Sequence, residues 1–427
     1  MDRMISKKTI KGLTWVPSLY LIEGLPYVVV MFVSTIIYKR LGFSNAELAL
    51  YSSLLSLPWI LKPLWSPVVD LFSTKRRWII AMQLLMATGF ASIALALPGP
   101  HYFTATIAAF MLTAFLSATH DIAADGFYML ALDQQGQSLF VGIRTLFYRL
   151  AMILGQGPLV IVAGWLEVSY GDIPRAWATV FYALSALLAV FALYHSLVLP
   201  RPDCDRPAEG VGVKSVVREF CQTFADFFRK PGVGAALAFM LLYKLPEAQI
   251  LRLISPFLLD PVQAGGLGLT TQQVGVIYGM VGLIGLMTGG ILGGVAVGVG
   301  GLKRWMMPMA WSMSLTCLTF VALSYMVNPP LWVVGLGVVI EQFGYGFGTT
   351  AYMMYLIYYA TGPRSTSHYA IATGLMSVGM MLPGMVAGWI EQQVGYQMFF
   401  LWTMVCCIAT VAVARMVKVP SDFGTKR

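Results

Sequence analysis

Apolar stretches of about 20 residues or more recur along the whole chain, and that length is what an α-helix needs to cross the hydrocarbon core of a bilayer. Twelve can be counted, at roughly 13–38, 46–69, 78–97, 102–129, 139–165, 175–198, 233–259, 271–298, 304–326, 331–359, 366–390 and 396–416. A membrane barrel would instead show alternating segments of about 10 residues, so helices are the expected form. With 58% hydrophobic and 11% charged residues, the chain departs from a soluble domain, which carries about 25% charge. The expectation is an all-α integral membrane protein of twelve transmembrane helices. Its first run is too long for a signal-peptide core and lacks a small-residue cleavage site, so it is expected to be retained.

The net charge of +9 reads as a topology signal rather than as a nucleic-acid footprint, and no nucleic-acid partner is expected. Basic residues outside the spans gather in alternate loops: Arg3 to Lys11, Lys75 to Arg77, Arg201 to Lys230, Lys303 with Arg304, Arg364, and Arg415 to Arg427. Only Lys39, Arg40 and Arg175 lie on the other side, which predicts a multi-pass protein with both termini in the cytosol. Five cysteines, three of them in apolar spans, give neither a disulfide framework nor a metal spacing. No metal and no cofactor beyond the proton gradient is expected.

Residues 199–232 are the one long polar interval and divide the chain into 1–198 and 233–427, six spans each. Val213, Val216, Val217, Phe220, Phe224, Phe227 and Phe228 follow helical spacing, which predicts an amphipathic linker helix on the cytosolic membrane surface. Moving the second half back by 224 positions aligns Ala163-Gly164-Trp165 with Ala387-Gly388-Trp389. The same offset aligns Glu167 with Glu391, Gly171 with Gly395, Gly155 with Gly379 and Glu23 with Glu247. Two parallel six-span repeats joined by a polar linker resemble the plan of major facilitator transporters, which bind substrate between pseudo-symmetric bundles near the midplane.

Charge inside the spans marks the candidate site, because an unpaired charge in a bilayer costs several kcal/mol. The acids are Glu23, Asp121, Asp125, Glu247 and Glu341, and the bases are Lys62, Arg144, Arg149, Lys244 and Arg252. Asp121 and Asp125 are four apart on one helix face, and Arg144 and Arg149 follow at matching distances beyond the polar turn at 133–138. An antiparallel hairpin brings Asp125 level with Arg144 and Asp121 level with Arg149. An acid beside arginine stays ionised until a substrate carboxylate recruits the arginine; the acid then takes a proton. Asp121, Asp125 and Glu23, with Arg149 as shared partner, are the candidate proton-coupling residues. Lys62, Arg149, Lys244, Glu247 and Glu341 are candidate substrate ligands, with Tyr20, Tyr27 and Tyr243 offering faces to sugar rings. Lys244 and Glu247, three apart around Pro246, are expected to share a face. His120 is expected to be a hydrogen-bonded spacer. Asp70, followed by Arg76 and Arg77, resembles the acid-then-basic loop that latches the cytosolic gate of the superfamily, with Asp70 expected near the start of the eleventh span at 365–367.

Several stretches together resemble the muropeptide permeases of the AmpG type. They are Leu61-Lys62 with Trp65, Pro67 and Asp70; Asp121-Ile122-Ala123 with Asp125; Tyr148-Arg149-Leu150; Tyr243-Lys244-Leu245; Glu341 with Gly346, Gly348 and Thr349; and Ala387-Gly388-Trp389. That family belongs to the major facilitator superfamily and carries anhydro-muropeptides into the bacterial cytoplasm with protons. The resemblance implies that Lys62, Asp121, Asp125, Arg149, Lys244 and Glu341 occupy its polar motif positions. It also implies an anionic glycopeptide substrate, the bacterial inner membrane and a monomer. Glu23 departs from the family's small residue, and the two extra spans of some members are absent. Transport of another anionic conjugate, such as a sugar, peptide or acyl-coenzyme A compound, stays open, as does an integral-membrane enzyme acting on cell-wall fragments, for which no nucleophile-base motif is present.

Overall fold

The computed structural model describes residues 7–132, 134–206, 213–362, 365–421, 423 and 424, and among them every regular element is a helix. Among the described residues, nine helices are long and apolar enough to cross a membrane, and one of these, Ser367–Met416, contains two spans joined at Gly395. The second and seventh spans complete the twelve, each broken into shorter pieces: Asn45–Leu54 with Leu57–Phe72, and Val233–Leu242 with Leu245–Leu259.

The 224-residue repeat is visible in the backbone. Gly171 (φ 63°) ends the fifth span and Gly395 (φ 74°) separates the eleventh from the twelfth, both left-handed, where a side chain would be strained. The second and eighth spans are irregular at equivalent places. The second breaks after Leu54, and the eighth passes through a π-helical stretch, Gly275–Gly282.

Two compact units emerge, but not at the boundaries the polar linker suggests. One comprises Met1–Ile37 with Leu57–Val213, the other Tyr38–Ser56 with Lys214–Arg427. Residues 38–56 join the second unit because their packing is there. Gly388 presses so closely on the Asn45 backbone that a Cβ would collide with it, and the Asn45 amide bonds to Glu391 and Tyr396. Ser44 starts this helix with a reciprocal capping box to Glu47.

In the first unit the helix Lys7–Val28 packs Trp15, Leu19 and Tyr20 against Ala123, Ala124 and Phe127 of the fourth span. In the second unit Phe239, Tyr243, Tyr352 and Tyr355 form one aromatic core. There the eighth and tenth spans touch backbone to backbone at Gly285, Gly289 and Gly346, and Gly293 receives the Thr350 side chain. A Cβ on Gly289 would lie 2.9 Å from Phe347 N, and one on Gly346 3.0 Å from Gly290 N.

The predicted linker helix is present at Val213–Phe228. Phe227 is buried against Tyr359 and His368, and the Lys230 ammonium donates to the carbonyls of Tyr359 (2.7 Å) and Thr361 (3.0 Å) at the end of the tenth span. Partial burial pushes the Lys230 pKa down, while the helix-terminal carbonyls give its charge a partner.

Candidate functional site

The fourth and fifth spans form the expected hairpin, and its register brings Arg144 Nη2 to 2.8 Å from Asp125 Oδ1. Tyr20 of the first span completes this corner. Its hydroxyl donates to Asp125 Oδ1 at 3.1 Å, and the Arg144 guanidinium lies over its ring at 4.6 Å and over Tyr128 at 5.4 Å. Asp121, one helical turn further in, pairs with Lys62 of the second span.

Glu23 enters the same space from the first span. It is 6% exposed, its Oε2 is buried with no hydrogen-bond donor, and ligand oxygens of Glu23, Asp121 and Asp125 all lie within 4.8 Å of one another. Three carboxyls so close have the spacing of a cation site, and here the cations nearest them are side chains. Tyr27 meets Trp59 edge to face at 5.0 Å on the same two spans that carry Glu23 and Lys62.

Arg149 does not belong to this cluster. Its side chain is exposed and pairs with neither aspartate, because five helical residues rotate it about 140° from Arg144. Arg144 pairs with Asp125 alone, and Lys62 holds the second aspartate.

A second polar set lies inside the second unit. Glu247 and Glu341 are 0% exposed, so in this conformation they are sealed from any substrate they were expected to hold. The seventh span breaks just before this pair: Lys244 (φ −99°, ψ 17°) is the N-cap of a new helix whose first turn contains Pro246 and Glu247. The Lys244 ammonium turns to Tyr345, whose hydroxyl is 3.4 Å away, and lies over the rings of Tyr345 (4.8 Å) and Tyr352 (5.3 Å). Tyr243 is a core residue rather than a sugar platform, fully buried, its hydroxyl donating to Gly348 O at 3.1 Å.

In the loop region that resembles a gate, the Asp70 side chain lies outside the described residues. Arg76 donates to the carbonyls of Ser196 and, at 3.2 Å, Leu199, tying the sixth span's end to the third span's start. Asp205 accepts from the backbone N–H groups of Lys75 (2.7 Å) and Arg76 (3.1 Å), capping that helix. The Arg77 side chain is exposed.

His120 is the hydrogen-bonded spacer expected, at 2.9 Å from the Gln83 amide. Sequence reasoning missed its partners: Gln83 Oε1 bonds to His195 (3.0 Å), whose other ring nitrogen meets Ser18 Oγ (3.0 Å). It also missed a ring in the second unit. Lys39 Nζ pairs with Asp260 Oδ1 (2.6 Å) and donates to Asn45 Oδ1 (2.7 Å); Asn45 Nδ2 donates to Glu391 (2.7 Å), and the Tyr396 hydroxyl donates to Asp260 Oδ2 (2.6 Å). Only Glu391 carried a signal, through its repeat equivalence with Glu167.

Paired charges on membrane-crossing helices, in a chain built from two six-span repeats, are the features of a membrane transporter. The sequence profile of the Major Facilitator Superfamily matches residues 18–384, and the chain belongs to that superfamily. Among its relatives, the anhydromuropeptide permease of Escherichia coli is 26% identical over 88% of this chain and 72% of the relative. A transporter named AmpG 4 of Rickettsia conorii is 24% identical over 92% of this chain and 93% of the relative. Solved structures with the same fold include the nucleoside transporter NupG (TM-score 0.67, 15% identity, 97% of this chain and 100% of that one). A D-xylose-proton symporter has a TM-score of 0.70 at 15% identity, covering 97% of this chain and 99% of that one.

Proposed function

We propose that this transporter is a proton-coupled importer of anhydromuropeptides, working in a bacterial cytoplasmic membrane with both termini in the cytosol. The observation that carries the reading is the composition of the first-unit cluster. Glu23, Asp121 and Asp125 stand together against Lys62 and Arg144, so the set holds one acid more than it has cations. In a low-dielectric layer that surplus is relieved by a proton.

An anionic cargo exchanges with it. A substrate carboxylate that recruits Arg144 or Lys62 leaves Asp125 or Asp121 without its partner, and the freed acid protonates, so that cargo and proton bind as a set. Tyr27 and Trp59 offer apolar faces beside these charges for a sugar ring. The substrate class follows the name of the Escherichia coli relative, and the carboxylates and sugars of muropeptides suit this mixture of cations and rings.

The test is uptake of radiolabelled anhydromuropeptide into membrane vesicles under an imposed pH gradient, with unlabelled sugars, peptides and acyl-coenzyme A compounds as competitors. Accumulation that follows the gradient and yields only to muropeptides supports the proposal. Uptake indifferent to the gradient removes the proton, and competition by another class reassigns the cargo. Substrate recovered chemically unchanged excludes an enzyme.

A further inference from the structure

The first-unit cluster sets three acids against two cations, and the second unit fully buries two acids near a single lysine. Glu247, in the first turn of Leu245–Leu259, and Glu341, within Leu331–Ala360, are both fully buried, and their carboxyls lie within hydrogen-bonding reach of each other. Cys317 Sγ is 3.5 Å from Glu247 Oε1, and Gln342 Nε2 donates to Glu341 Oε2 at 2.8 Å. The remaining oxygens, Glu247 Oε2 and Glu341 Oε1, are buried without a donor.

Groups interacting with this pair come from five spans: Tyr278 from the eighth, Cys317 from the ninth, Gln342 from the tenth, Cys407 from the twelfth, and Lys244 from the break in the seventh. Among these Lys244 is the one cation, and its ammonium is directed at the Tyr345 and Tyr352 rings. An ionised carboxylate only accepts hydrogen bonds, so two of them face to face would place two acceptors and two charges together with nothing between. A single proton converts that repulsion into an O–H···O hydrogen bond.

We propose that Glu247 and Glu341 form a proton-sharing pair, a second proton-binding site seated entirely within the second unit. The proton is held as a carboxylic acid O–H on one glutamate, donated to the other. It leaves as that bond breaks when water reaches the interrupted backbone at Tyr243–Lys244, beside Glu247. The Lys244 charge, at the start of the same helix, attracts the carboxylate left on Glu247. The role of the pair in coupling rests on the proton-transport reading above, whereas its holding of a proton does not.

Infrared spectroscopy of the purified full chain at neutral pH tests this. Protonated carboxyls absorb apart from ionised ones and shift in deuterium oxide. Glu247→Gln and Glu341→Gln should each lose the same band, and Asp260→Asn should keep it; a band unchanged in both glutamine variants overturns the proposal. Should either variant fail to fold, the native chain is treated with dicyclohexylcarbodiimide, which modifies protonated carboxyls in apolar surroundings. Peptide mass spectrometry should find the adduct on Glu247 or Glu341, and an adduct confined to other acids overturns it. In proteoliposomes, folded variants should keep substrate counterflow and lose pH-driven accumulation. Native chain that carries no anhydromuropeptide at all removes the transport reading and leaves the band to decide the pair.

Discussion

Asp125 is held by Arg144, Oδ1 to Nη2 at 2.8 Å, and the same carboxylate oxygen takes the Tyr20 hydroxyl at 3.1 Å. This three-residue corner is built from the first, fourth and fifth spans, so it registers three helices against one another around one ion pair.

Replacing Arg144 with alanine should therefore abolish uptake, whereas Arg149→Ala should leave it near native. Both partners of the Arg144 pair are about a third exposed (32% and 37%). Solvent screening then limits the loss of stability in Arg144→Ala to about 1 kcal/mol. Arg144→Lys should not restore transport, because an ammonium lacks the planar guanidinium that lies on Tyr20. Vesicle uptake and thermal unfolding of the three variants check this, and loss of uptake in Arg149→Ala alone would reverse the assignment.

Glu23→Gln should separate transport from coupling. The amide keeps the shape and removes the surplus acid, so counterflow should persist while accumulation driven by a pH gradient disappears. Retained gradient-driven accumulation in this variant would move the proton away from Glu23.

The ring of Lys39, Asn45, Asp260, Tyr396 and Glu391 should be cooperative. Asp260→Asn leaves Lys39 without its counter-charge, with side chains only 12% and 14% exposed. A double-mutant cycle with Lys39→Met should show a coupling of about 1–3 kcal/mol in unfolding free energy, as residues of one network do. Additive effects would mean that the pair is dispensable to the second unit.

The glycine seam gives a control built into the sequence. Gly289→Ala would drive a methyl group into the Phe343 and Phe347 backbone and should cost about 1–3 kcal/mol, the usual range for overpacking. Gly290→Ala, where a Cβ meets nothing within 4 Å, should be neutral or slightly stabilising through helix propensity. Thermal unfolding of the two purified variants decides it.

The spans, the linker helix and the duplication could be read directly, because apolar length and a fixed offset need no knowledge of packing. So could the axial register that brings Asp125 to Arg144. Azimuth was the harder coordinate: distance from the turn placed Arg149 level with Asp121, but the helix had already rotated it away, and Asp121 found Lys62 in another span. The seventh span illustrates a different limit, since periodicity holds only where a helix is continuous and this one is interrupted after Leu242. Lys39 and Asp260 flank the spans and read as loop charges, and only tertiary contact reveals them as a pair. The outcome at Tyr243 has the same origin, because nothing local distinguishes an aromatic that packs from one that greets a ligand.

Where the eighth and tenth spans meet at Gly285, Gly289 and Gly346, main chain rests on main chain. Two rods keyed together in this way cannot slip past each other by small steps, so they travel as a single lever. Any bending that the second unit undergoes in a working cycle is left to the places where helical hydrogen bonding is already interrupted, and the interruption at Tyr243–Lys244 stands next to Glu247. Mechanical compliance and a buried acid thus occupy the same few residues of the seventh span.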